Sequence, residues 1–384
     1  MNAEPAPGLE TLLRDHPDWL RGRRAGLVAH PASVDARGVP SMERLRQAGV
    51  NLVALFGPEH GFTGSGGAGE TIPDGRHPAS GLHVYSLYGD TRKPTPAMLR
   101  DLEVLIFDLQ DVGARPYTYV STLRYVLEAA AENGKAVIVA DRPIPLPRVV
   151  DGPMLEAAFE SFVGAIRTPI AYGMTPGETA RWLKEDLALN LDLRVAPMQG
   201  FRRDRAERSD RWIPPSPAIR SWACAASFPA TVFFEAVPAV DHGRGTETPF
   251  QVVGAPWLDA LALADALAGH PLPGVRIEPC VYPARQGPYQ GQEVRGIRLE
   301  ITDAALFRPV QTGVTILFAL QSVYGSEAIW ETPDARPDFF DKLMGTDTVR
   351  RALLDGSAPE AIVAGWENNC SAFVEKRRVA LLYR

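Results

Sequence analysis

The stretch Val104-Leu105-Ile106-Phe107-Asp108-Leu109-Gln110-Asp111-Val112-Gly113-Ala114-Arg115-Pro116-Tyr117-Thr118-Tyr119 decides the fold class. Its first four residues form a continuous apolar run, as expected of a parallel strand covered on both faces. The segment Val120 to Asn133 has helical apolar spacing and a high Ala content, and Gly134 supplies a stop. Strand, polar turn and helix form the repeating unit of an α/β sheet. In such sheets, ligands bind just beyond the carboxyl ends of the strands. This turn holds two carboxylates, an amide, a guanidinium and two phenols. Taken alone, it suits a binding site or a capping and salt-bridge cluster equally well.

The neighbouring strands favour a site. Ala25-Gly26-Leu27-Val28-Ala29 runs into His30-Pro31, and Leu52-Val53-Ala54-Leu55-Phe56 runs into Gly57-Pro58-Glu59-His60-Gly61. Ala136-Val137-Ile138-Val139-Ala140 runs into Asp141-Arg142-Pro143. Each apolar run ends in ionisable or Pro/Gly punctuation in the same sense, which places all these loops along one rim. The fold class expected is therefore α/β, a Rossmann-like parallel sheet.

The 384 residues are enough for two or three domains. A formal net charge of -6 lacks the basic footprint of nucleic-acid binding. The longest apolar runs are too short to span a membrane, and the first residues lack a secretory pattern, so the expectation is a cytoplasmic location or an export segment outside the given sequence. Cys224, Cys280 and Cys370 form no CxxC pair, which fits neither a disulfide framework nor a zinc site.

Short helices are expected at Met42–Ala48 and Thr95–Leu102, and Gly152 to Ile170 is irregular. Thr175, with Glu178 three residues on, has capping-box spacing, so Glu178 is assigned to the helix end rather than to chemistry. The charged run Phe201 to Trp212 and Ile213-Pro214-Pro215-Ser216-Pro217 read as a long surface loop. After Phe234 the pattern becomes mixed. Helices are expected over Leu258–Ala268, Val310–Tyr324, Thr348–Leu354 and Pro359–Arg377, with strands over Val275–Val281 and Val294–Ile301. The expected division is a Rossmann-like catalytic domain at residues 1–230 and a smaller α+β domain at 231–384, with a cleft at the junction. Asp241-His242-Gly243-Arg244-Gly245-Thr246 lies there, a turn that brings Arg244 and backbone N–H groups to an anion or merely solvates them.

Two motif matches carry little. Gly64-Ser65-Gly66-Gly67-Ala68-Gly69 satisfies GxGxxG but lacks the preceding strand, and Pro73-Asp74-Gly75 denies it a following helix. It reads instead as a loop that carries Glu70 near the Glu59 turn. Glu59, His60 and Asp108 are metal-ligand types without a supporting spacing. Neither a metal nor a cofactor is expected.

Taken together, Gly57-Pro58-Glu59-His60-Gly61-Phe62, Gly69-Glu70, Tyr85-Ser86-Leu87-Tyr88-Gly89 and the Asp108–Tyr119 turn resemble the DUF1343 family. The resemblance continues through Asp141-Arg142-Pro143, Tyr172-Gly173-Met174-Thr175, Pro214-Pro215-Ser216-Pro217, Gly243-Arg244-Gly245-Thr246 and Gly254-Ala255-Pro256-Trp257 to Leu381-Leu382-Tyr383. It covers nearly the whole chain. Members of that family include exo-β-N-acetylmuramidases, which release N-acetylmuramic acid from the non-reducing ends of peptidoglycan fragments. The resemblance thus implies a glycosidase acting on a small sugar or muropeptide-derived substrate.

Glycoside hydrolysis needs two carboxyl groups flanking the scissile bond. Glu59 and Glu70 are the first choices, with Asp108, Asp111 and Asp151 in reserve. The lactyl carboxylate of muramic acid calls for a guanidinium fork, for which Arg115, Arg142 and Arg244 are candidates. His60, Gln110, Asp141, Tyr117, Tyr119 and Tyr172 complete the expected binding set. Ile144, Ala218 and His242 stand where the family pattern has polar or acidic residues. Those departures keep two alternatives open: a divergent glycosidase acting on another amino sugar, and a muramyl-binding relative without catalysis. A metal-assisted hydrolase is a further rival.

Overall fold

The computed structural model describes residues 5–205 and 212–384. The larger sheet has seven strands: β1 Arg24–Ala29, β2 Asn51–Gly57, β3 Gly75–Arg76, β4 His83–Ser86, β5 Val104–Asp108, β6 Ala136–Ala140 and β7 Leu193–Ala196. Their order is β3-β4-β2-β1-β5-β6-β7, and every pair is parallel except β3 with β4. The α/β expectation therefore holds. In this sheet the apolar-run criterion missed β4 and β7, which are short and only partly buried, and β3, which is exposed.

The continuous apolar runs have a simple cause. Val28, Phe56, Phe107 and Val139 point into one buried layer, whereas Leu27, Leu55, Ile106 and Ile138 point into the other. With both faces covered, neither set of alternate positions is free to be polar. The first layer continues without a break into the second half of the chain, through Phe234, Phe250, Leu317 and Phe340.

The second sheet joins β8 Val252–Ala255, β9 Val275–Pro283 and β10 Glu293–Ile301 in the antiparallel order β8-β10-β9. Helices Ala260–Ala268, Pro309–Tyr324, Thr348–Leu354 and Pro359–Arg377 form as expected. The short helix near Thr95 covers only Pro96–Leu99, and the helix Trp222–Thr231 carries no clear apolar stripe and escaped sequence reading. Of the expected loop at 201–212, residues 206–211 lie outside the described residues, as do residues 1–4. Arg203 departs from the surface assignment: it is buried and pairs with both oxygens of Glu178. Among the described residues no helix is long and apolar enough to cross a membrane.

Candidate active site

The chain leaves β1 toward β2 and β4 on one side, then returns to β5, β6 and β7 on the other. The reversal lies between β1 and β5, and the crevice beyond their carboxyl ends is the expected binding position of a doubly wound sheet. Across this rim stand Tyr88 after β4, Glu59 after β2, His30 after β1, Asp108 to Asp111 at and beyond the end of β5, and Asp141 after β6.

Glu59 is the half-buried centre of the rim. Its Oε2 accepts the Thr118 hydroxyl at 2.6 Å, and its Oε1 accepts the Gly69 N–H at 2.9 Å. The turn that presents it is tight: a Cβ at Gly57 would lie 2.4 Å from the Phe62 nitrogen, so only glycine fits. His60 adopts φ 70°, a left-handed conformation rare outside glycine, and its Nδ1–H donates to the Gly66 carbonyl at 3.0 Å. The glycine-rich loop is thus fastened to the β2 turn by the side chains of both His60 and Glu59. Glu70 is exposed and turns its carboxylate back onto the Gly67 N–H at 2.7 Å. The expected Glu59–Glu70 pair is therefore one loop contact removed from a facing pair.

Phenols line the same end. Tyr119 donates to the Pro215 carbonyl at 2.7 Å, and Tyr117 packs edge-on against Tyr119 and Phe228. Burial and the neighbouring Glu59 carboxylate raise the Tyr88 phenol above its usual value. Asp111 is 5% exposed; its Oδ1 accepts the Gly113 N–H at 2.6 Å and the Tyr172 hydroxyl at 3.0 Å. Burial outweighs these bonds and pushes its carboxyl up to about 6.

Several residues expected in the site are consumed elsewhere. Arg115 is fully buried and donates to the backbone carbonyls of Pro153, Thr168 and Met344, so it clamps loops and presents no fork to a ligand. Arg142 grips both oxygens of Asp108, which also accepts the Ser41 hydroxyl, so neither ion faces the crevice. Asp151 accepts the N–H groups of Val310 and Gln311 at a helix start, together with Trp366 Nε1, and acts as a cap. Asp141 accepts Gly177 N–H, the Thr175 hydroxyl and the Tyr383 hydroxyl, and burial raises it to about 6. Gln110 donates its amide to the Asp111 and Pro143 carbonyls. Arg244 pairs with Glu235 and lies over the Phe250 ring. Glu178 closes the capping box with Thr175, as its spacing indicated.

Sequence reading did not select His30, Thr118, Tyr88 or Arg92. His30 had a usable signal, since it ends a buried strand as Glu59 does. Thr118 had none, because its role depends on where the β2 turn lies. Of the three family departures, Ile144 is buried, and its Cδ1 would lie 2.8 Å from a Cβ at Gly113. Ala218 is half-buried. His242 is half-buried against Phe250, its buried Nε2 has no partner, and desolvation depresses it to about 3.

Fold and site define a two-part α/β protein with a carboxylate and phenol cluster at the switch point of its parallel sheet. The chain belongs to the exo-β-N-acetylmuramidase NamZ family: the N-terminal family model matches residues 25–223 and the C-terminal one 226–383. It is 35% identical over 381 residues to the peptidoglycan β-N-acetylmuramidase NamZ of Bacillus subtilis, covering 98% of this chain and 91% of that protein. A DUF1343 family protein of Bacteroides fragilis has the same fold, with a TM-score of 0.91, 32% identity and 99% of each chain covered. A second DUF1343 protein of that organism gives 0.79 at 27% identity, covering 100% of this chain and 99% of its own.

Proposed function

We propose that this chain is a glycoside hydrolase of the exo-β-N-acetylmuramidase kind, releasing N-acetylmuramic acid from the non-reducing ends of peptidoglycan fragments. One observation carries the site assignment: Glu59 stands at the open end of β2 beside the switch point, with each carboxyl oxygen held by a separate donor. A carboxylate fixed in this way serves the anomeric carbon as nucleophile, base or electrostatic stabiliser without reorganising. Asp111, raised to about 6, is the group suited to donate a proton to the leaving oxygen. Tyr172 holds that carboxyl in orientation, and Glu70 shapes the loop that meets Glu59.

On this reading residues 1–230 carry the catalytic groups, residues 231–384 cover them, and the substrate enters at the junction. No cofactor takes part, and the enzyme works on wall fragments in the cytoplasm.

The test is release of free sugar from p-nitrophenyl N-acetylmuramide and from a MurNAc–GlcNAc disaccharide. Turnover that collapses in Glu59→Gln, with folding intact, supports the reading. Muramic acid binding without any turnover replaces it with a binding protein, and activity abolished by chelation replaces it with a metal-assisted hydrolase.

A further inference from the structure

The three guanidinium groups expected to read an anionic sugar substituent are all engaged, which leaves a recognition task without an obvious residue. Arg92, a few residues beyond the end of β4, has what they lack. Its guanidinium lies 4.7 Å from the centre of the Tyr88 ring and 4.2 Å from that of Phe162, and the residue is exposed. Among the described residues it has neither an ion-pair nor a hydrogen-bond partner.

Three acids of the flanking segments are already committed to other cations. Glu128 and Glu132 pair with Lys93, and Glu160 pairs with Arg124. An unpaired Arg on a surface ordinarily samples many rotamers. This one rests on two aromatic faces, and Phe162 is itself buried and stacked on Tyr125. Such contacts hold the planar fork in place while leaving its N–H edge open. Tyr88 connects the fork to the chemistry by register: β2 and β4 run parallel with Gly57 opposite Ser86, so Glu59 and Tyr88 each follow that pair by two residues at the same end of the sheet.

We propose that Arg92, clamped by Tyr88 and Phe162, is the anion site that receives the lactyl carboxylate of the terminal sugar, making it the residue that distinguishes muramic acid from glucosamine. The inference rests on the glycosidase reading of the Glu59 site. A bidentate Arg–carboxylate contact has the geometry and charge for this task. The aromatic clamp reduces the rotamer entropy lost on binding.

The test compares p-nitrophenyl N-acetylmuramide with p-nitrophenyl N-acetylglucosaminide, which lacks the lactyl ether, in wild type, Arg92→Met and Arg92→Lys. Arg92→Met keeps the stem packed on both rings. It should lower kcat/KM on the muramide by about tenfold or more, the loss expected of a charge-assisted contact. Turnover of the glucosaminide should stay the same, and Arg92→Lys should recover part of the loss. Equal loss on both substrates, or none on the muramide, overturns the proposal. Calorimetric binding of free N-acetylmuramic acid and N-acetylglucosamine separates the two readings. If wild type turns over neither glycoside yet binds the muramic acid through Arg92, the glycosidase reading falls and the anion site stands. If it turns over the muramide with Arg92 irrelevant, the reverse holds.

Discussion

Nε2 of His30 accepts the backbone N–H of Gln110 at 2.8 Å, tying the end of β1 to the turn after β5 at the point where the sheet reverses direction. The tautomer follows from this bond. Nδ1 carries the proton and donates it to the Pro215 carbonyl at 3.1 Å, the same carbonyl that accepts the Tyr119 hydroxyl. One buried neutral ring therefore fixes both the floor of the crevice and the proline-rich loop over it. His30→Ala leaves Gln110 N–H unpaired and opens a void, at a cost of about 2–4 kcal/mol. Urea unfolding of the variant measures this. A loss below about 1 kcal/mol would show that water or a rearranged loop replaces the ring.

Glu59 and Thr118 give a graded prediction for catalysis. Glu59→Gln should reduce kcat by about a hundredfold or more with little change in thermal midpoint. Thr118→Val removes only the donor at Oε2, so kcat should fall about fivefold to tenfold with KM nearly constant. Wild-type rates in Glu59→Gln would move the essential carboxyl group elsewhere on the rim.

Asp111 sets the pH dependence of the proposed reaction. With its carboxyl raised to about 6, the protonated form acts below that pH, and kcat/KM falls as pH rises through it. The Tyr172 hydroxyl lowers this value by bonding to the carboxylate. Tyr172→Phe should therefore shift the falling limb upward, and Asp111→Asn should abolish it together with most of the activity. A limb left unmoved by Tyr172→Phe assigns the acid to another group.

Arg115 tests the distinction between binding and scaffolding. Its bonds run to carbonyls of Pro153, Thr168 and Met344, which belong to segments far apart in the chain. Arg115→Met should destabilise the protein by about 3 kcal/mol or more, because buried carbonyls lose their donors. KM of the remaining folded enzyme should change little. A KM effect without a stability effect would return Arg115 to the substrate.

His242 contributes a pH-dependent stability term of definite sign. Burial holds the folded ring at about 3 against the ordinary 6.5, so below 6.5 the unfolded chain binds the extra proton. Stability from this group is complete above 6.5 and is lost as pH falls toward 3. His30, also at about 3, acts in the same direction. Asp111 and Asp141, raised from 3.8 to about 6, act oppositely between those two values. His242→Leu removes one acid-sensitive group and an unpartnered Nε2. Its thermal midpoint relative to wild type should therefore be more favourable at pH 5 than at pH 7.5; an equal difference at both would mean that His242 is not the titrating group.

Much of the fold was legible because its causes are local. The apolar runs at β1, β2, β5 and β6 reflect two-sided burial, and the Thr175–Glu178 spacing specified a capping box whose two bonds are both made. Thr348–Leu354 and Pro359–Arg377 form over the expected residues because helix preference acts within a few turns, with Pro359 at the first turn of the second. The rim chemistry was legible as a set of residue types. The division of labour within that set was not.

The sequence by itself determined the parallel sheet, the sense of its loops and the polar groups carried at each strand end, since steric period and burial act between near neighbours in the chain. Only the tertiary structure decided which of those groups remain available. Arg142 meets Asp108 across 34 residues, Arg115 meets Met344 across 229, and Tyr383 reaches Asp141 across 242. A buried charge or dipole takes whichever partner packing brings within hydrogen-bond reach, and that partner is set by how the second half of the chain folds over the first. The same packing committed Glu128, Glu132 and Glu160 to other cations and left the Arg92 fork open.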